Sequence, residues 1–192
     1  ELAVVEVAAA GAGPVRRLAG PGPVSSVAWA PDGTVLAAGF AASPHLVLFR
    51  RAGDGFTPQT VDRQDSHTGA VAWSPDGTAV ATTSSAPSGD GVVRVFDGRT
   101  GAPIARFPGD TALQQNPMWA PGGDSVAVAD GSGIVTWPVH GAAPGGWESP
   151  QQPYGSPILA WTADGRVIAA GGRDHAVRVW RAGRAEPVAE WA

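Results

Sequence analysis

The sequence predicts an all-β protein that is assembled from repeated four-stranded units. Glycine and proline account for 27 and 18 of its 192 residues, a content that favours tight turns and argues against a helical bundle or coiled coil. Apolar residues alternate with a period of two in runs such as 92–96, which is the spacing of strands. A tryptophan-containing segment occurs in four copies along the chain. Turns, strands and a repeat together indicate a repetitive β architecture.

Two sets of aromatic residues give the length of the repeat. The first set anchors the recurring segment and is Trp29, Trp73, Trp119 and Trp161, at separations of 44, 46 and 42 residues. The second set ends a later apolar run and is Phe49, Phe96, Trp137 and Trp180, at separations of 47, 41 and 43 residues. The two independent sets of landmarks give the same period, which supports the repeat. We interpret the first set of tryptophans, which recur at one strand position, as packing between neighbouring sheets. Trp147 and Trp191 are out of phase and lie on predicted outer strands.

Each recurring segment is predicted to be a hairpin of two strands joined by a tight turn. The segments are 24–39, 70–84, 118–130 and 158–171. Residues 31–33 and 75–77 both read PDG. There, proline fixes φ, aspartate can bond its own backbone and glycine can take a positive φ. This turn chemistry explains the repeated Asp32, Asp76 and Asp164 without a catalytic role.

A third and a fourth strand complete each unit. The third is the apolar run that ends in the second set of aromatics. The fourth is predicted at 56–61, 103–107 and 187–191, with the region around Trp147 as the weakest copy. Residues 2–7 and 14–18 read as a third and a fourth strand that no first or second strand precedes. Four strands per unit and a period near 44 residues are typical of the blades of a β-propeller.

The sequence therefore predicts one β-propeller domain or propeller fragment of about four and a half antiparallel blades. The boundaries are 1–20 for an outer half-blade and 21–62, 63–109, 110–150 and 151–192 for four blades. A seven-bladed ring needs roughly 300 residues, so we expect the chain to be part of a larger ring. Because open ends would expose strand edges and apolar faces, we expect a missing segment or a second chain to complete that ring.

The repeat resembles that of the WD-repeat β-propeller family, in a divergent form of bacterial type. The best copy is 67–97, which begins HTG, continues AVAWSPDG and ends in Phe96-Asp97 where the family has Trp-Asp. The resemblance implies a buried hydrogen-bonded network within the blades, and the residues that correspond to it are His67, Ser84, Asp90, Asp174 and Trp180. No blade has the full set, so we expect apolar packing to hold the sheets together. The AWSPDG element is also similar to the repeat of TolB-like propellers, which is the alternative.

Composition excludes several functional classes. All 13 basic residues are arginine, 17 residues are acidic and the net charge is -4, so we expect no nucleic-acid partner. The absence of cysteine excludes disulfides and thiolate metal sites. The longest apolar stretches are too short for a transmembrane span, and we expect no membrane partner and a cytoplasmic location. The arginine bias without lysine suggests a high-GC bacterial gene.

Catalytic motifs are absent from the sequence. It has no phosphate-binding GxxxxGK[ST], no HExxH, no GxSxG and no calcium-loop spacing. Asp65, Ser66 and His67 are neighbours in one loop, whereas the members of a catalytic triad come from separate elements. We therefore expect no catalytic residue, no metal and no cofactor, and we predict that the protein is not an enzyme.

The resemblance implies that partners bind on one rim, in the loops before the first strand and after the second strand of each blade. These loops vary while the strands repeat, as expected of an interaction surface on a rigid scaffold. The residues predicted to contact a protein partner are Arg63, Asp65, Gln114, Gln115, Tyr154, Arg173 and His175. We predict a non-catalytic interaction scaffold or sensor within a larger multidomain protein. The alternative is a TolB-like or hydrolase-like propeller that binds a small molecule or substrate at the channel mouth.

Overall fold

The computed structural model describes residues 2–8, 11–42, 46–62, 68–85, 91–109, 116–129, 133–139, 147–148, 158–171 and 175–191. Every regular secondary-structure element in these residues is a β-strand. The strands form one two-stranded sheet and four four-stranded sheets. Within each sheet the strands pair antiparallel and in sequence order. The predicted all-β fold of four blades and a half-blade is therefore confirmed.

The strands occupy the positions that the repeat predicts. The half-blade consists of β1 (Leu2–Ala8) and β2 (Gly11–Leu18). The first blade consists of β3 (Val24–Trp29), β4 (Val35–Phe40), β5 (Leu46–Ala52) and β6 (Gly55–Asp62). The second blade consists of β7 (Thr68–Trp73), β8 (Ala79–Ser85), β9 (Gly91–Asp97) and β10 (Pro103–Gly109). The third and fourth blades consist of β11 (Met118–Trp119), β12 (Ser125–Ala129), β13 (Ile134–Pro138), β14 (Trp147–Glu148), β15 (Ile158–Trp161), β16 (Val167–Gly171), β17 (Val177–Arg181) and β18 (Ala189–Trp191).

The turns between the first and second strands have the chemistry that the sequence predicts. In the second blade, Asp76 Oδ1 accepts hydrogen bonds from Ser74 Oγ at 2.6 Å and from the Thr78 N–H at 3.0 Å. Gly77, the next residue, has a φ of 72°. Asp32 and Asp164 likewise accept hydrogen bonds within their own turns. The interpretation of these aspartates as turn residues is confirmed.

The hydrogen-bonded turn around Asp76 makes the stability of the folded protein depend on pH. Hydrogen bonds from Ser74 Oγ and the Thr78 N–H lower the pKa of Asp76 below its ordinary value of 3.8. The stabilisation of the fold by ionised Asp76 is therefore complete above pH 3.8 and is lost as the pH falls through the lower pKa that Asp76 has in the folded state. We expect the free energy of unfolding to fall more steeply below about pH 4 in the wild type than in Asp76→Asn. Urea denaturation at a series of pH values measures both slopes, and identical slopes would contradict this assignment.

Apolar packing between facing blades forms the core. The second strands repeat a pair of adjacent residues, of which the first is branched and the second is alanine. The branched residues Leu36, Val80, Val126 and Ile168 are buried against the preceding sheet. The alanines Ala37, Ala81 and Ala127 are buried against the following one. Since successive strand residues point to opposite faces, each inner strand is apolar on both sides, and the small side chains allow the next sheet to approach closely.

Two of the phased tryptophans also bond neighbouring blades. Trp73 Nε1 donates a hydrogen bond to Ala28 O, and Trp119 Nε1 donates one to Ala72 O, each at 3.1 Å. Ala28 and Ala72 hold the same position in consecutive first strands. The bond therefore repeats from one blade to the next, and it confirms that these two tryptophans pack between sheets.

Candidate functional site

Two kinds of loop meet at one end of the first blade. The Ala41 N–H, just after the second strand, donates to Pro23 O in the linker before the first strand at 3.0 Å. The other end of a blade carries its turns, where the Gly98 N–H donates to Thr78 O at 2.7 Å. We call the end formed by the linkers and the loops after the second strands the upper rim. This is the end to which the family resemblance assigns partner binding.

Most residues that we predict to contact a partner lie outside the described residues. They are Arg63, Asp65, Gln114, Gln115, Tyr154 and Arg173. Their roles stay predictions. His175 is the one member of the set that lies within the described part of the chain.

His175 is exposed and has a left-handed backbone. Its φ is 64°, whereas the other described residues with a positive φ are glycines. A Cβ makes this conformation unfavourable, although histidine tolerates it better than most side chains do. Strain of this kind clusters at functional sites. The backbone of the rim therefore holds the imidazole outward, two residues before β17 begins at Val177.

At the first blade, the linker of the upper rim packs directly against the hydrophobic core. Gly20 lies in the linker between β2 and β3, and a Cβ at this position would overlap the ring of Phe40. Phe40 ends β4 and is fully buried. Because the linker backbone lies directly on the aromatic ring, glycine is required there. The linker is thus fixed to the core, as expected for loops presented by a rigid scaffold.

Ser84, which the resemblance assigns to the blade network, has a partner that the sequence did not suggest. Its Oγ accepts a hydrogen bond from Arg94 Nη1 at 2.8 Å, and both residues are buried. A buried guanidinium must be satisfied by hydrogen bonds or countercharge. The sequence feature that could have indicated this contact is the position of Arg94 inside the otherwise apolar run of β9.

The remaining members of the network have different outcomes. His67, Asp90 and Asp174 lie outside the described residues, so their part in the network stays a prediction. Trp180 is fully buried, and it packs with Ile168 between the last two blades. Its structural position in the blade core therefore agrees with a packing role.

Arg50 joins the first blade to the second, which sequence reasoning also missed. It follows Phe49, at the place where the family has an aspartate. Arg50 Nη2 donates to Gly98 O at 2.7 Å and to Arg99 O at 2.6 Å. Arg50 Nε and Nη2 donate to Gln59 Oε1 at 2.9 and 2.8 Å. The guanidinium therefore connects β5 and β6 to the turn between β9 and β10 by charge-assisted hydrogen bonds.

A cleft of about 270 Å³ lies between the third and fourth blades, and its walls include Asp124, Trp161 and Asp164. A hydrogen bond from Thr162 Oγ1 to Asp164 Oδ1 at 2.6 Å is the main cause that lowers the pKa of Asp164. This carboxylate is therefore ionised at neutral pH and engaged within its own turn. A general acid needs the opposite, a raised pKa.

The described residues lack two further kinds of feature. They contain no group of three or more His, Asp or Glu side chains arranged to hold a metal ion. They also contain no helix with the length and apolar character that crossing a bilayer requires.

Comparison of the sequence with family models identifies one family. The model described as WD domain, G-beta repeat matches residues 12–45, 59–97 and 158–181. These stretches together cover about half of the chain, and each contains the first two strands of one blade. No curated protein matches the sequence.

Solved structures similar to this chain have the same fold. A chain of the mitotic checkpoint complex gives a TM-score of 0.67 at 20% identity, over 88% of this chain and 51% of that one. A Bacteroides uniformis protein assigned as a 6-phosphogluconolactonase gives 0.70 at 18% identity, over 97% and 63%. The C-terminal WD40 domain of Sif2 gives 0.69 at 20% identity, over 87% and 48%. The chain spans less than two thirds of each of these structures, and the similarity shows the fold alone.

Proposed function

The chain belongs to the WD40 repeat family, and from this premise we propose that it is a non-catalytic scaffold that binds a protein partner through its upper rim. Domains of this family typically bind protein partners. The observation that carries the proposal is the exposed His175, which the rim backbone holds in a strained conformation. A residue kept in this state by its surroundings is a candidate for function.

The chemistry of the predicted contact residues supports a polar protein surface as the partner. Two arginines, Arg63 and Arg173, and one tyrosine, Tyr154, belong to residue types that are enriched at interfaces. The other members, Asp65, Gln114, Gln115 and His175, add a carboxylate, two amides and an imidazole. Such a mixture fits a partner with both charges and with hydrogen-bonding groups, rather than a nucleic acid or an apolar segment.

An enzymatic function has less support. The similarity to the Bacteroides uniformis protein is at 18% identity and concerns the fold. Asp32, Asp76 and Asp164 have lowered pKa values because they accept hydrogen bonds within their own turns. Stoichiometric zinc or calcium in the purified protein would contradict the scaffold proposal and favour an enzyme.

The His175→Gly variant distinguishes an effect on partner binding from an effect on the stability of the fold. Glycine adopts a φ of 64° without a Cβ penalty, so we expect the free energy of unfolding to stay unchanged or to rise by up to about 1 kcal/mol. Loss of the imidazole should weaken capture of the partner from an extract of the source cells. Thermal unfolding and affinity capture with mass spectrometry measure the two effects. A decrease in stability would contradict the backbone assignment, and unchanged capture by an Arg173→Ala, His175→Gly double variant would contradict the rim assignment.

A photo-crosslinking amino acid provides a matched control for position. It is placed at position 175 on the upper rim or at position 166, a side chain that is 84% exposed in a turn at the opposite end. We expect partner adducts from position 175 and none from position 166. Adducts from position 166 alone, or equally from both, would place the partner elsewhere and contradict the proposed function.

A further inference from the structure

Two arginines lie directly opposite each other on the two outer strands of the second blade. Arg94 of β9 pairs with Arg106 of β10 in the antiparallel register. Residues paired in this way point to the same face of the sheet, and like charges placed opposite each other are destabilising. Phe96, two positions after Arg94, packs in one cluster with Leu48 of the first blade, so both arginines point towards that blade. We call Arg94 and Arg106 the arginine pair.

The fourth blade has an acid where the second blade has Arg106. Arg94 and Arg178 are equivalent, because each precedes the aromatic residue of its third strand by two positions. Arg178 pairs with Glu190 of β18, and Arg178 Nη2 donates to Glu190 Oε1 at 2.9 Å. This position of the repeat therefore supplies a carboxylate to the arginine opposite it in the fourth blade. In the second blade the same position supplies a second positive charge.

A cavity of about 280 Å³ opens beside the arginine pair. Both arginines line it, together with the apolar side chains of Phe96, Pro103 and Ile104. Its volume is close to the lower end of the range for small-molecule sites, which begins at about 300 Å³. Apolar walls with a few polar groups that fix the orientation of a ligand are also typical of such sites.

The two guanidinium groups differ in what they contact. Arg94 is 8% exposed, and its Nη1 donates to Ser84 Oγ, which carries no charge. Arg106 is exposed, and its side chain makes neither a hydrogen bond nor an ion pair with any described residue. A guanidinium is always protonated and presents its donors in a planar fork that matches a carboxylate. The fork of Arg106 is therefore available to an anion from outside the chain.

We propose that the cavity beside the arginine pair binds a small carboxylate ligand that has an apolar body. The carboxylate accepts hydrogen bonds from Arg94 and Arg106, as Glu190 accepts one from Arg178 in the fourth blade. The apolar body packs against Phe96 and Ile104. The site is built from strand residues rather than from the loops of the upper rim, and it goes beyond the proposed function.

The walls favour an apolar carboxylate over inorganic phosphate. Phosphate would bring no apolar surface to Phe96, Pro103 and Ile104, whereas an aliphatic chain or aromatic ring buries such surface at about 25 cal/mol per Å². The charge of the ligand also removes the repulsion between the two arginines. Both groups of a ligand, the carboxylate and the apolar body, are therefore needed for binding.

NMR titration of the ¹⁵N-labelled protein tests the class of ligand. The probes are benzoate and hexanoate, with acetate, inorganic phosphate and the neutral benzamide as controls. We expect benzoate and hexanoate to shift resonances of β9 and β10 and to bind at least about tenfold more tightly than each control, a difference of about 1.4 kcal/mol. Acetate lacks the apolar body and benzamide lacks the charge, so each control removes one of the two required groups.

Arg106→Glu tests the site with a change that should not weaken the fold. It places an acid opposite Arg94, as Glu190 stands opposite Arg178. We expect the midpoint of urea denaturation to rise, since an ion pair replaces a repulsion, and benzoate binding to weaken at least about tenfold. Arg184→Glu, at an exposed position after β17, makes the same change in net charge and should leave benzoate binding unchanged.

Arg106→Gln removes the charge without adding a carboxylate, and it should also weaken benzoate binding, so the test does not depend on Arg106→Glu alone. Several results would overturn the proposal. They are no saturable binding of benzoate or hexanoate, equal binding of benzamide or phosphate, wild-type affinity in Arg106→Gln, and equal losses in Arg106→Glu and Arg184→Glu. None of these measurements involves a partner at the upper rim, so the outcome is independent of the proposed function.

Discussion

The Trp180→Ala variant should lose about 3–5 kcal/mol of the free energy of unfolding. Trp180 is fully buried and packs in a cluster with Ile168, Ala170 and Ile134 between the last two blades. Removal of the indole leaves a cavity between two hydrogen-bonded sheets, and close-packed interiors relax only in part around such a cavity. Urea denaturation followed by circular dichroism measures the loss.

Trp191→Ala is the matched control for this variant. It removes the same side chain from the same blade, at a position that is 60% exposed. We expect a change within about 0.5 kcal/mol, as for most surface substitutions. Losses of equal size in the two variants would contradict the view that burial between blades, rather than indole chemistry, gives Trp180 its effect.

Replacing Gly98 with alanine should cost about 1–3 kcal/mol, the range for overpacking a filled site. A Cβ at this position would overlap Trp73 Cζ3 and would lie 3.1 Å from the carbonyl oxygens of Gly77 and Thr78. The indole of Trp73 is held by its bond to Ala28 O, so it cannot move aside without breaking the contact with the first blade. The turn also accepts the hydrogen bond from Arg50. We therefore expect the substitution to disturb the interface between the first two blades, as measured by urea denaturation.

Gly55→Ala is the control for Gly98→Ala. The nearest atom to a Cβ at Gly55 is Ala52 O at 3.7 Å, an ordinary contact distance. We expect a change within about 0.5 kcal/mol. If both alanine variants lost stability equally, the loss would come from backbone entropy or strand propensity rather than from the contact with Trp73.

The architecture could be predicted from the sequence because its signals are local. The alternation of apolar residues in each run predicts strands, and the PDG turns at 31–33 and 75–77 adopt the backbone that their residue types require. The period of the tryptophans then groups the strands into blades. Each of these inferences depends on residues within one unit, so it needs no knowledge of how the units pack.

The contacts between units could not be predicted in the same way. Arg50 and Gly98 are 48 positions apart in sequence and meet because two blades lie face to face. The charge of Arg50 stands where the family has an aspartate, and nothing next to it in sequence indicates that a carbonyl of another blade will accept its hydrogen bonds. For the candidate site, sequence alone nominated the rim residues, and the left-handed backbone of His175 became visible in the structure.

The repeat, its four strands, its turns and the family can all be recognised in the sequence. Which copies of a repeated position are buried depends on how the blades pack. Leu46, Val93 and Ile134 are buried while the equivalent Val177 is exposed, and Val71 is buried while Val27 is exposed. The sequence gives these positions the same apolar character in every unit. Their burial differs because the sheet that covers a side chain belongs to the next unit, and a side chain at an end of the row has no such neighbour among the described strands.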